Sequence, residues 1–194
     1  MIIPMEYTFN VFNKLAADGV TVAVDNLLNA HLPPTDGNER APAPPVVVCI
    51  GSDLAIGDSL GPVTGSMLRY KTRGLGTFVY GTLKTPVTAK EIKLMKAFLK
   101  ATHKDRKIIA IDAAVGQAGD IGLIKITDSP LAPGAGANKK LGTLGDVSVM
   151  GIVAEKSLGN YGLFNTTRLN LVYSMAEIVS DALSSLLWER AKRR

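Results

Sequence analysis

One cysteine, one tryptophan and two histidines are all that the 194 residues hold of those types. A lone Cys49 excludes a disulfide framework and a thiolate zinc cluster. It stands in the apolar run VVVCI, where an inert core thiol is expected. Zinc or nickel would want His or Cys beside any carboxylate, and neither His31 nor His103 has an obvious place near one. No cofactor and no bound metal are therefore expected. Long apolar runs are also missing: none approaches the roughly 18 residues that span a bilayer. Residues 1–14 have no basic start and no sustained apolar stretch, so no secretory leader is read there. The chain is expected to be cytoplasmic, with no membrane partner. Net positive charge is scarce outside one place. The net charge is +5, but Arg190, Lys192, Arg193 and Arg194 carry four of these charges, leaving +1 for residues 1–189. An excess confined to a basic tail, 190–194, is not a groove-sized patch, and no nucleic-acid partner is expected.

Against these absences stand 46% hydrophobic residues, 19 glycines and 10 prolines. A single soluble domain of this length buries enough surface to fold without staples. Residues 1–32 read as weakly helical, and the Pro-rich PPTDGNERAPAPP (33–45) reads as a linker. An N-terminal extension over 1–45 and an α/β domain over 46–189 follow from this division. Within the domain, Val46–Ile50 is short, β-branched and apolar throughout, as a strand covered on both faces should be. A helix is predicted from about Asp58 to Lys71, a strand over Thr77–Tyr80, and an amphipathic helix over Thr88–Thr102, with Ile92, Met95, Phe98 and Leu99 on one face. Lys107–Ile111, Leu123–Thr127 and Val147–Val153 are further strands. The last helix carries Leu169, Val172, Ala176, Val179, Leu183 and Leu186 along one stripe. Alternating strands and helices predict a three-layer α/β/α sandwich with a mostly parallel central sheet.

In such sheets ligands bind beyond the carboxyl ends of the strands. Two aspartates satisfy that rule. Asp58 lies in the loop GSDLAIGDSLGP after the first strand of the domain, and Asp112 ends the strand KIIAID. Should these strands be neighbours, the carboxylates converge on one crevice, and like charges drive their pKa values apart. An acid–base pair or a water-orienting pair would result. The plain alternatives are that Asp58 caps the next helix and that Asp112 bonds backbone at a strand end. The string Gly57-Asp58-Ser59-Leu60-Gly61 matches a G-x-S-x-G nucleophile motif literally. Yet Ser59 comes nine residues after Ile50 instead of on a sharp strand–helix turn, and no histidine is placed to serve it. His103 sits in the basic KATHKDRK and is expected to be solvated. A third segment, PGAGANKKLG (133–142), offers Gly134 and Gly136 for close backbone approach and Asn138 and Lys139 for an anion or a peptide carbonyl. It lacks P-loop spacing, and a surface loop with solvated lysines is its plain alternative. Thr85-Pro86 is read as a turn.

Taken in order, IGSDLAIGDSLGP, IIAIDAAVG and PGAGANKKLGTLGDVSVMGIVAE resemble the spore germination protease superfamily, most closely its short YyaC-type sporulation proteins. Gly51, Asp58, Leu60, Gly61 and Pro62 match its first element, Asp112 and Ala113 its second, and Pro133, Gly134, Gly136, Asn138 and Lys139 its third. Ser52 stands where that superfamily has Asn, and the chain is shorter than the germination proteases. The resemblance implies a fold shared with hydrogenase maturation proteases, with Asp58 and Asp112 as catalytic residues. It also implies that Gly134, Gly136, Asn138 and Lys139 bind substrate. The implied activity is that of a peptidase acting on disordered proteins such as small acid-soluble spore proteins, in the cytoplasm of the forespore or spore core. The alternatives are a non-catalytic peptide-binding or regulatory protein on the same fold, and a metal-assisted peptidase. A homo-oligomer is compatible with either class.

Overall fold

The computed structural model describes residues 5–30, 42–133, 142–156 and 167–193. Six strands form one sheet: β1 (Glu6–Asn10), β2 (Val46–Cys49), β3 (Phe78–Tyr80), β4 (Ile108–Gly116), β5 (Leu123–Thr127) and β6 (Val147–Glu155). Their order is β1-β5-β6-β4-β2-β3. Strands β3, β2, β4 and β6 are mutually parallel, while β5 runs against both β6 and β1. Among the described residues the α-helices are α1 (Ala16–Asn29), α2 (Leu60–Lys71), α3 (Ile92–Thr102) and α4 (Leu169–Lys192).

The apolar strands explain the layering. All four residues of β2 are buried: Val47 and Cys49 face one core, Val46 and Val48 the other. The first core joins the sheet to α1, α2 and α4. The second joins it to α3 through Ile92 and Leu99. This is a three-layer α/β/α sandwich with a mostly parallel sheet. In α4, Val172, Met175, Ala176, Val179, Leu183, Leu186 and Leu187 are buried, whereas Leu169, at the start of the expected stripe, is exposed. Truncating one of the buried Leu or Met side chains to Ala would cost about 2–5 kcal/mol.

Three expectations need correction. Residues 1–32 are not uniformly helical. Glu6–Asn10 is an edge strand paired with β5, and only Ala16–Asn29 is helix. Nor are residues 6–29 an appendage: Val20, Val24, Leu27 and Leu28 lie in the same core as α4. The basic run 190–194 begins inside α4, where Arg190 pairs with Asp25 at 2.6 Å and donates to Asn29. His31 and most of the Pro-rich stretch lie outside the described residues.

The crossovers place the site. From β2 the chain passes through α2 on one face to β3, then returns through α3 on the opposite face to β4, on the other side of β2. The connections thus diverge between β2 and β4, the switch point at whose carboxyl ends ligands bind in open sheets of this kind.

Candidate functional site

Strand β2 ends abruptly. The Ile50 amide donates to the Ile111 carbonyl at 2.7 Å, extending the ladder by one bond, and Gly51 then turns away with φ 137°. The first turn of α2 lies against the end of β2. A Cβ on Gly61 would sit 2.0 Å from the Ile50 carbonyl oxygen, so only glycine permits this approach. The returning loop closes with the Ser52 amide on the Asp58 carbonyl at 3.0 Å and the Asp58 amide on the Ala55 carbonyl at 3.1 Å. A single 3-10 turn over Gly57–Ser59 then leads into α2.

Asp112 was expected at the end of its strand. It is instead the fifth of nine residues in β4, because pairing with β6 carries the strand on to Gly116. The register shows why Asp112 is still beyond a carboxyl end: Cys49 pairs with Ile111, and β2 supplies no partner further along. Asp112 therefore sits where its neighbouring strand has just stopped.

The two aspartates are electrostatically coupled. Burial pushes the Asp112 carboxyl well above the ordinary carboxylate range, the Asp58 charge raises it further, and a 2.8 Å hydrogen bond from the Ala113 amide opposes both. As whole residues Asp58 and Asp112 are each intermediate in exposure, while the Asp112 carboxyl itself is buried. A coupled pair in which one carboxyl is raised above the ordinary range is an arrangement that can supply an acid and a base at the same pH. The capping position of α2 falls on Ser59, whose hydroxyl donates back to the Ile56 carbonyl at 2.7 Å. That bond and its burial leave Ser59 unsuited to nucleophilic attack.

Other predicted residues fall elsewhere. Gly134, Gly136, Asn138 and Lys139 lie outside the described residues. His103, expected in solvent, is 7% exposed. It shares a 2.9 Å hydrogen bond with the Tyr80 hydroxyl and is ringed by Phe78, Phe98 and Tyr80, so α3 and the edge strand β3 bury it against each other. Thr85 belongs to a turn closed by reciprocal backbone bonds with Thr82. Cys49 is fully buried and burial drives its thiol pKa far up, consistent with an inert core thiol. Among the described residues, no group of three or more His, Cys, Asp or Glu is arranged to hold a metal ion, and no helix is long and apolar enough to cross a membrane. Sequence reasoning missed the exposed Leu54 and Ile56 beside Asp58, and the unpaired part of β4 beyond Asp112. No local pattern marks an edge created by the shortness of another strand.

The chain is similar to several known proteins. A family model described as "Protein of unknown function (DUF1256)" matches residues 20–182. A Bacillus subtilis (strain 168) protein described as "Uncharacterized protein YyaC" is 43% identical over 147 residues, covering 75% of this chain and 71% of that one. Among solved structures, the [NiFe] hydrogenase maturation protease HycI from Thermococcus kodakarensis KOD1 superposes with a TM-score of 0.47 at 17% identity, covering 74% of this chain and 91% of that one.

Proposed function

The chain belongs to the DUF1256 family, and from that footing we propose that it is a peptidase in which Asp58 and Asp112 hydrolyse peptide bonds of disordered proteins. One observation supports this reading: Asp112 lies beside the end of β2, close enough to Asp58 that burial first and then the Asp58 charge raise its carboxyl well above the ordinary carboxylate range. Asp112 is thus the acid and Asp58 the base. Asp58 takes a proton from water, and the oxygen attacks the scissile carbonyl. The C–N bond then breaks as Asp112 protonates the leaving amine. Solvent exchange returns the proton from Asp58 to Asp112. The pair titrates as a unit, so activity is expected to follow a bell-shaped pH profile that belongs to the dyad.

Substrate choice follows from access. A crevice at a strand end admits an extended chain far more readily than a folded one, which favours disordered substrates. The resemblance to germination proteases suggests small acid-soluble spore proteins as such substrates, in a sporulating cell. Purified protein incubated with a small acid-soluble spore protein, and with β-casein as a generic disordered substrate, tests the reading. Cleavage by wild type, reduced by about 10²-fold or more in both Asp58→Asn and Asp112→Asn with unchanged melting cooperativity, supports it. Undiminished cleavage by either variant overturns the dyad. Binding without cleavage by wild type would instead indicate a peptide-binding protein.

A further inference from the structure

Peptide groups in a strand point alternately to its two sides, and on a parallel strand both groups of one residue point the same way. In β4 the Ile111 carbonyl accepts from Ile50, so Ile111 faces β2. Ala113 and Val115, two and four residues on, face the same side. Strand β2 is no longer there. On the other side β4 remains paired, and the Gly116 carbonyl accepts from the Lys156 amide at 2.7 Å. The Ala113 amide is taken by Asp112 Oδ1. Among the described residues, no backbone group pairs with the Ala113 carbonyl or with the Val115 amide and carbonyl. Among the described residues, β4 is therefore without a backbone partner on this side from one residue after Asp112.

Resting on the peptidase reading, we infer that this edge takes the substrate: an extended polypeptide segment joins β4 as an added strand in the lane that β2 vacates. One substrate residue donates its amide to the Ala113 carbonyl and accepts from the Val115 amide. The next stretch of its main chain passes Asp112 and Asp58. A polypeptide main chain is the ligand whose donors and acceptors alternate at this spacing. The lane is short, so main-chain pairing reads few residues and side chains add the rest. Leu54, 92% exposed, and Ile56, 37% exposed, precede Asp58 on the returning loop. They offer apolar contact, so the segment carries large aliphatic residues next to the bond held at the aspartates. Unpaired edges are a hazard that proteins usually cover. Here a bulge at Ala114/Val115 and the shortness of the lane restrict pairing to one strand of limited length.

The test uses the full chain carrying both Asp58→Asn and Asp112→Asn, so that binding is separated from cleavage. Overlapping 12-residue peptides spanning β-casein are the probe. For the tightest binder, methylation of its backbone nitrogens one at a time should weaken binding by tenfold or more at alternate positions only. Its saturation should slow hydrogen exchange at the Val115 amide by tenfold or more. Val115→Pro, which removes that donor, should weaken binding by about tenfold, whereas Val115→Ala should change it less than threefold. Melting curves verify both folds, and the methylation scan stands independently of either variant. Failure of every peptide to bind, or binding without Val115 protection and without the two-residue period, overturns strand addition. Peptides cleaved by wild type while Val115 stays unprotected would sink this inference and leave the peptidase reading intact. Strand-like binding with no wild-type cleavage would do the reverse.

Discussion

Gly61 is held against the carbonyl of Ile50 so closely that a Cβ would lie 2.0 Å from its oxygen. The contact ends β2, starts α2 and aims the loop that carries Asp58. Gly61→Ala should therefore destabilise the fold by about 1–3 kcal/mol or more, since backbone must shift to admit the methyl group. It should also lower activity more than stability alone accounts for, because Asp58 moves with the helix start. Gly119→Ala is the control: its Cβ would meet nothing within 4 Å, and the cost should stay within about 0.5 kcal/mol. Urea denaturation of both variants measures the difference.

Asp112 makes stability depend on pH in an unusual direction for a carboxyl. Its folded pKa lies above its unfolded one, because of burial and then Asp58. Between those values the native state binds more protons than the unfolded state, so stability falls as pH rises through the folded pKa. Below the unfolded pKa, near 4, the penalty is absent. Asp112→Asn removes the cost of ionising a covered carboxyl. The variant should melt higher than wild type at neutral pH and lose that advantage near pH 4. For a domain of this size each kcal/mol relieved raises Tm by about 2–4 °C.

Asp58 acts on Asp112 through charge. Asp58→Asn should lower the Asp112 pKa toward the ordinary carboxylate range without restoring it fully, because desolvation is the larger cause and persists. Carbon-detected NMR titration of the Asp112 carboxyl in both proteins reads this directly. An unchanged pKa would mean the two groups are not coupled.

His103 works in the opposite sense. Burial first, and then the Arg106 charge, hold its pKa below the usual imidazole value. The unfolded chain then binds the proton more readily, so the contribution is present above about pH 6.5 and is lost as pH falls through the folded pKa. Thermal melts between pH 7.5 and 5 should show wild type losing stability on acidification. Part of that slope should vanish in His103→Gln. Activity should not follow the same titration, because His103 packs against Phe78, Tyr80 and Phe98, away from the aspartates.

Much of this was legible in the chain, and the exceptions share a cause. The all-apolar β2 and the stripe on α4 declared their burial because period and composition are local signals. Glu6–Asn10 looked weakly helical because a five-residue edge strand has little pattern of its own; β5 decides its pairing. His103 was misread for the same kind of reason. Its flanks are basic and exposed, but the imidazole itself is covered by rings from β3 and α3.

By itself the sequence determined the alternation of strands and helices, the strands covered on both faces, and Asp58 in the loop after β2. These follow from side-chain chemistry repeated at short range. Only the tertiary structure decided that β2 stops at Cys49 while β4 runs on to Gly116, that Asp58 raises the pKa of Asp112, and that the β2 side of Ala113 and Val115 has no backbone partner among the described residues. Strand pairing, desolvation and charge coupling depend on which distant segments meet, and no short stretch of sequence holds that information.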